Sequence, residues 1–187
     1  KLCLVLGDRY EVHTFGLCCY ILGIPIAHVH GGEITNGSFD DGFRHSLSKL
    51  ANLHFVSHKE FKKRLINLGE NPKYIFNFGA PGAENAKKII KNKKIDSNLI
   101  NKFKGNLVTI TYHSQTNRNI KEDMKNLKNI FKLIESNKKY NYIFTNSNSD
   151  PGGIKLMNEI NKFCKKKKNC FNAKSLGHRN YLLLINE

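Results

Sequence analysis

Acidic residues are scarce: 15 Asp and Glu stand against 31 Lys and Arg, giving a formal net charge of +16 at pH 7. That imbalance invites a nucleic-acid reading, but what should accompany it is missing. There is no recognition-helix signature, zinc-finger spacing or aromatic RNA-binding motif. The excess sits in lysine-rich helix faces and tails, namely Lys62 to Arg64, Lys87-Lys88, Lys91 to Lys94 and Lys165 to Lys168. Charge runs of this kind are solvated faces, so no nucleic-acid partner is expected, although the field would favour a polyanionic small substrate. Nowhere do apolar residues approach the ~18 in succession that a membrane span requires, so no membrane partner is expected. The five cysteines, Cys3, Cys18, Cys19, Cys164 and Cys170, form no C-x-x-C pair, are odd in number and follow no secretory signal. They read as reduced, buried, structural thiols of a cytoplasmic protein. An initiator methionine is also lacking. The chain starts inside the apolar run Lys1 to Leu6 and stops inside another, Tyr181 to Ile185, so both ends read as cut.

Of the 187 residues, 40% are hydrophobic and 10% aromatic, which suffices for a packed core and argues against disorder. The length allows one large or two small domains. The richest stretch runs from Ile24 to Leu50. It opens with an apolar, β-branched run (Ile24, Ile26, Val29) that predicts a buried strand. It closes with Phe43, Leu47, Leu50 and Ala51 at helical spacing. Between them a polar, glycine-rich loop spans Gly31 to Asp40. His28, His30, Glu33, Asp40, Asp41, Arg44 and His45 flank that single strand-to-helix turn.

Strands alternate with helices along the chain. Strands are predicted at Leu2 to Leu6, Ile24 to His30, His54 to Val56 and Tyr74 to Phe78. The helices between them run from about Glu11 to Leu22, from Asp41 to about Leu53, and through Phe61, Leu65 and Leu68. Ser57 and Glu60 read as a capping box for the last of these, and Gly69 as its stop. Gly79 to Gly82 terminates the fourth strand. From Ala83 to about Lys104 the chain becomes basic and weakly patterned. The rhythm then restarts with strands at Asn106 to Tyr112, Tyr142 to Thr145 and Cys170 to Ala173. Helix stripes follow at Ile120, Met124, Leu127, Phe131 and Ile134, then at Ile154, Met157, Ile160 and Cys164, and a last helix begins at Tyr181 to Ile185. The alternation predicts an α/β fold with parallel, doubly wound sheets. The expected division is 1–82, an interdomain linker over 83–104, and 105–187, with both sheets incomplete.

Polar groups recur at the carboxyl ends of these strands: Asp8-Arg9, His30 to Asp40, His113 to Thr116, Asn146 to Gly153, and Ser175 to His178. That edge is where open α/β sheets bind ligands. The matching pieces are Gly7-Asp8-Arg9-x-Glu11, His28-x-His30-Gly31-Gly32-Glu33-x-Thr35, Asp40-Asp41-x-x-Arg44-His45, Thr111-Tyr112-His113, Asp150-x-Gly152-Gly153 and Ser175-Leu176-Gly177-His178-x-x-Tyr181. In this order they resemble the hydrolysing UDP-N-acetylglucosamine 2-epimerases of the sialic and legionaminic acid type. The resemblance runs nearly end to end and covers about the middle half of such an enzyme.

The resemblance implies the glycosyltransferase-B fold, two Rossmann-like parallel-sheet domains with a nucleotide sugar in the cleft. It also implies elimination of the nucleoside diphosphate across C1–C2, giving a glycal, followed by hydration with inversion at C2. That chemistry needs a base for a poorly acidic proton, an acid for the rehydration, and cations or N–H groups for the diphosphate. By match, Asp8, Asp40 and His113 correspond to catalytic groups. The third carboxylate of relatives falls on His30 here, and the role is given to Glu33 with His30 as helper. Arg9, Arg44 and His45 are candidate substrate-binding or carboxylate-orienting groups. Asp150, Gly152 and Gly153 suit the ribose or diphosphate. His178 either binds the nucleotide base or starts a helix.

Plainer readings stand beside these. Asp8 could cap a helix, and one of Asp40 and Asp41 has the look of an N-cap. His28 reads as a hydrogen-bonded core residue. His28, His30 and Glu33 have metal-like spacing but fix no geometry, so neither a metal nor a cofactor is expected. The rivals to an epimerase are a glycosyltransferase of the same fold and a non-catalytic nucleotide-sugar-binding fragment. A homo-oligomer is expected from the resemblance.

Overall fold

The computed structural model describes residues 1–91, 106–114, 119–145, 152–173 and 175–186. The chain divides into two compact units, Lys1–Asn85 and Ala86–Glu187. Each is built around its own parallel sheet.

In the first unit the strands β1 (Cys3–Leu6), β2 (Ile26–Val29), β3 (Leu53–Val56) and β4 (Ile75–Asn77) lie in that order, all parallel. The crossovers are the helices α1 (Tyr10–Ile21), α2 (Asp40–Leu50) and α3 (Lys59–Asn67). Side chains alternate across a strand, and the register puts Val5, His28, His54 and Ile75 in one row. The helices cover that face. Val5, Cys19, Ile26, Leu47 and Ala51 form one buried cluster, and Val56, Leu65 and Ile75 another, with Phe61 against it. The opposite face is apolar as well: Leu6, Val29, Phe55 and Phe76 share a row, and Phe55, Phe76 and Phe78 stack on one another.

Boundaries shift where the backbone has other partners. β2 starts at Ile26 rather than Ile24, since Pro25 offers no N–H and the Ile26 N–H donates to the Asn52 side chain at 2.9 Å. It stops before His30, whose φ of 67° leaves the extended region. α2 ends at Leu50, with Ala51 already extended, so Leu53 belongs to β3. Pro72–Tyr74 is a 3₁₀ turn capped by the Asn71 side chain, which delays β4 to Ile75. The Gly79 to Gly82 stretch does end β4, but Pro81 also opens α4 (Pro81–Lys91), the first-turn position that suits proline.

The capping box expected from Ser57 and Glu60 is not formed. α3 is capped by His58, whose ring accepts the Glu60 N–H at 3.3 Å, and the Ser57 hydroxyl points elsewhere. The expectation that all five cysteines are buried also needs correction. Cys19, Cys164 and Cys170 are buried, but Cys3 is half-buried and Cys18 is exposed on the outer side of α1. All five are free thiols.

The second unit holds β5 (Leu107–Thr111), β6 (Asn141–Thr145) and β7 (Cys170–Ala173), again parallel and in that order. They are joined by α5 (Ile120–Ser136) and α6 (Gly153–Cys164) and followed by α7 (Gly177–Asn186). The first expected helix stripe meets the sheet, with Leu127 and Ile134 in the buried core and Ile120, Met124 and Phe131 against it. The second is shifted: Leu156, Ile160 and Cys164 are buried with Phe144, whereas Ile154 is exposed.

Candidate functional site

Because all strands of the first unit run the same way, the residues that follow β1, β2 and β3 emerge at one edge of the sheet. Asp8 follows β1, the loop from His30 follows β2, and Ser57 follows β3. The loop must then return to α2, and its polar groups converge there on one buried cation.

That cation is Arg44, in the second turn of α2 and only 4% exposed. Its guanidinium donates to an Asp8 carboxylate oxygen and to Asp41 Oδ1, and to Thr35 Oγ1 at 3.2 Å. Asp41 in turn accepts the Thr35 N–H on both oxygens, at 3.0 and 3.1 Å. The fork of Arg44 thus ties the end of β1, the loop and the helix together, a task suited to a planar, multi-donor cation. Asp8 is therefore not a helix cap. The cap position of α1 is Arg9, which makes no side-chain cap bond. Neither Asp40 nor Asp41 is an N-cap: α2 is preceded by Phe39 in a helical conformation, and both carboxylates lie in its first turn. Asp40 accepts the Ser38 hydroxyl at 2.6 Å. Arg9 lies outside this cluster, exposed and paired with Glu11 at 3.1 Å.

A second network sits beside the first. His30 Nδ1 donates to Glu33 Oε1 at 2.7 Å, and the Ser57 hydroxyl donates to the same oxygen at 2.6 Å. Partial burial pushes the Glu33 carboxyl up. The bonds from Ser57 and His30, with the nearby charges of His30 and Arg44, outweigh it, and the net pKa is lowered. His30 is the one non-glycine residue with a positive φ among the described residues, a conformation that costs about 1–3 kcal/mol and concentrates at functional sites. The loop is pressed onto α3: Arg64 donates to the Gly32 carbonyl, and a Cβ on Gly32 would stand 2.6 Å from the Phe61 carbonyl oxygen.

His28, expected as a core residue, is fully buried. Its Nε2 lies 2.8 Å from the Gly7 carbonyl and its Nδ1 3.1 Å from the Ser48 hydroxyl, the pattern of a neutral ring that donates from Nε2. Burial pushes its pKa down to about 4. It supports the Gly7-Asp8 turn from beneath. His45, a candidate for orienting carboxylates, has its Nδ1 buried without a hydrogen-bond partner; burial lowers its pKa, with the nearby charge of Asp41 opposing. His54, on β3, pairs with Glu70 at 3.3 Å and belongs to the core. Among the described residues no group of three or more His, Cys, Asp or Glu side chains is placed to hold a metal ion.

In the second unit a cavity of about 330 Å³ opens at the carboxyl ends of β6 and β7 and the start of α7, lined by Thr145, Ala173, Ser175, Leu176, Gly177, His178 and Tyr181. Its size falls at the small end of ligand pockets. Thr111 Oγ1 bonds to Thr145 Oγ1 at 2.7 Å and to the Tyr181 hydroxyl at 3.3 Å, so β5, β6 and α7 share one polar contact. His178 is the second residue of α7, so it both starts the helix and lines the cavity. His113 is exposed, two residues beyond β5. Gly152 precedes α6 with a φ of 88°, where a Cβ would stand 2.7 Å from Ile120 Cδ1. Gly153 is the first residue of α6 and is buried. Asp150 lies outside the described residues.

The sequence signals for Ser57, Thr35 and Tyr181 as site residues are slight. Ser57 is a hydroxyl residue just past a strand, and nothing in the local pattern tells such a residue from a cap; Thr35 lies within the polar loop and Tyr181 inside α7.

Comparison with known proteins shows the family. The family model described as UDP-N-acetylglucosamine 2-epimerase matches residues 1–187. The chain is 41% identical over 191 residues to a GDP/UDP-N,N'-diacetylbacillosamine 2-epimerase (hydrolyzing) of Campylobacter jejuni, covering 97% of this chain and 48% of that protein. It is 32% identical over 185 residues to the polysialic acid biosynthesis protein P7 of Escherichia coli, covering 97% and 46% respectively. The crystal structure of a UDP-GlcNAc 2-epimerase from Neisseria meningitidis bound to UDP-GlcNAc superposes with a TM-score of 0.81 at 17% identity, over 97% of this chain and 51% of that one. The chain thus spans about half the length of the proteins it matches.

Proposed function

Since the chain belongs to the UDP-N-acetylglucosamine 2-epimerase family, we propose that it is part of a hydrolysing nucleotide-sugar 2-epimerase. The substrate is UDP-N-acetylglucosamine or a UDP- or GDP-linked relative carrying a second acetamido group, as the name of the Campylobacter jejuni relative suggests. The products are a free manno-configured sugar and the nucleoside diphosphate. The observation that carries this reading is the pair of networks at the strand edge of the first unit: Asp8 locked to buried Arg44, and Glu33 held by His30 and Ser57.

The reaction proceeds in two steps. In the first, a carboxylate takes the C2 proton, the C1–O bond to the diphosphate breaks with its electron pair leaving on the nucleotide, and a C1–C2 double bond forms. In the second, water adds across that bond, with hydroxyl going to C1 and a proton to C2 from the opposite face. Glu33, with its lowered pKa, is charged and ready to accept a proton at neutral pH. Asp8 is held in one orientation by Arg44 and faces the same edge, as does Asp40. These supply the other acid–base roles, and His113, by its place in the family motif, remains a proposed catalytic group. The cavity beside Tyr181 and His178 receives part of the nucleotide: its hydroxyls suit a ribose or base, and the N-terminus of α7 favours an anion. Arg9, Gly152 and Gly153 remain proposed substrate contacts.

The product would serve the synthesis of sialic-type acidic sugars, a reading supported by the name of the Escherichia coli relative. A cytoplasmic, homo-oligomeric enzyme is part of the same proposal. The test is turnover of UDP-N-acetylglucosamine and its diacetamido relative by the intact protein in D₂O. UDP and a free sugar carrying one deuterium at C2 are expected. A new glycosidic bond would identify a glycosyltransferase instead, and UDP binding without turnover would identify a non-catalytic binding protein.

A further inference from the structure

Ser57 sits one residue past β3, on the edge where β2 delivers His30. The His30 N–H donates to the Phe55 carbonyl at 3.0 Å, so the two loops are sewn together before either side chain is placed. From there the Ser57 hydroxyl and His30 Nδ1 both reach Glu33 Oε1, at 2.6 and 2.7 Å. Glu33 Oε2 accepts nothing from any described residue, and the side chain remains 28% exposed. The two oxygens of one carboxylate are therefore unequal. One is saturated by donors belonging to the protein, and the other is open to solvent and ligand.

The scaffold around this arrangement is tight. His30 is held at a φ of 67° and Gly32 at 76°. The space beside Gly32 is closed by the Phe61 backbone, and Arg64 grips the Gly32 carbonyl. The backbone that carries Glu33 is thereby fixed, and one oxygen of its carboxylate always meets these two donors while the other faces away.

We propose that Ser57 is a positioning residue: with His30 it occupies Oε1 of Glu33 and so assigns Oε2 as the oxygen that takes the C2 proton. The inference rests on the epimerase reading of the site. Ser57 touches no reacting atom. It fixes the direction of the open lone pair and holds the carboxylate charged, because donors to the charged form favour it.

The experiment compares Ser57→Ala, Ser57→Thr and Ser57→Val in the intact protein, with Glu33→Gln as reference. Threonine and valine share one shape and differ in the hydroxyl, so the pair separates hydrogen bonding from packing; far-UV circular dichroism and a thermal melt confirm that each is folded. Loss of a bond to a charged group predicts a fall in kcat of about ten- to a hundredfold for Ala and Val. KM should change little, and the acid limb of the kcat profile should move to higher pH as Glu33 becomes easier to protonate. Thr should restore both. If Ala and Val keep the wild-type kcat and acid limb while Glu33→Gln is inactive, Ser57 has no positioning role and the inference falls alone. If Glu33→Gln turns over normally, the assignment of Glu33 falls and takes the Ser57 inference with it.

Discussion

At the scale of single residues, the arrangement around Arg44 decides more than its charge does. Asp8, Asp41 and Thr35 are all held by one guanidinium that is itself buried. A lysine would keep the positive charge but could not reach three acceptors in different directions. Arg44→Lys is therefore expected to lower kcat at least tenfold by releasing Asp8, with the fold intact by circular dichroism. Asp8→Asn removes the carboxylate itself. If Asp8 is an acid–base group, steady-state turnover of the nucleotide sugar should fall about 10²–10⁴-fold; normal turnover would remove Asp8 from the mechanism. Both residues stand in motifs visible in the sequence, but their contact does not. They are separated by 36 positions, and only the parallel pairing of β1 with β2 brings Asp8 over the start of α2.

At the scale of elements, the site depends on how closely α1 and α2 approach. Gly16 on α1 faces Leu47 on α2, and a Cβ at that position would stand 2.4 Å from Leu47 Cδ1. Leu47 is fully buried and cannot swing aside. Alanine in a helix is favoured over glycine by about 1 kcal/mol, whereas overpacking a full core costs about 1–3 kcal/mol. The second term is the larger, so Gly16→Ala is expected to lower the melting temperature despite its better helix propensity. A raised melting temperature would show that α2 can shift. Element existence and order were legible from periodicity except at α4, whose residues from Ala83 to Lys91 read as weakly patterned linker, and at α7, which begins at Gly177 and not at Tyr181. The ends were less so: His30 leaves the strand, Asn52 recruits the Ile26 N–H, and His58 rather than Ser57 caps α3. At the first two a group on or just before β3 supplied the partner; at α3 the cap is local, and it is Ser57 that is drawn away to Glu33.

At the scale of the whole molecule, the buried His28 links folding to pH. Its pKa is about 4 in the folded protein, against about 6.5 for an unperturbed histidine. Between those values the unfolded chain binds a proton that the folded one does not, so stability rises with pH across this window and is lost as pH falls from 6.5 toward 4. The full loss is about 3 kcal/mol from this group. Urea unfolding at pH 7 and pH 4.5 should show the difference, and His28→Gln should flatten it. A variant with the same slope as wild type would place the acid sensitivity elsewhere. The net charge of +16 bears on the attraction of an anionic substrate and not on the fold.

The sequence by itself determined the α/β class, the alternation of strands and helices, and the family. These rest on local patterns: hydrophobic periodicity within an element and short motifs around Gly7, His30 and Ser175, which need no knowledge of distant contacts. It also told His28 from a ligand. Tertiary structure alone decided that Asp8 pairs with Arg44 instead of capping α1, that Ser57 serves Glu33 instead of α3, that His45 Nδ1 is buried without a hydrogen-bond partner, and that Cys18 faces outward. A hydroxyl or carboxylate just past a strand has the same local signature whether it caps a helix or holds a catalytic group. Which it does is set by what the neighbouring parallel strand delivers to the same edge.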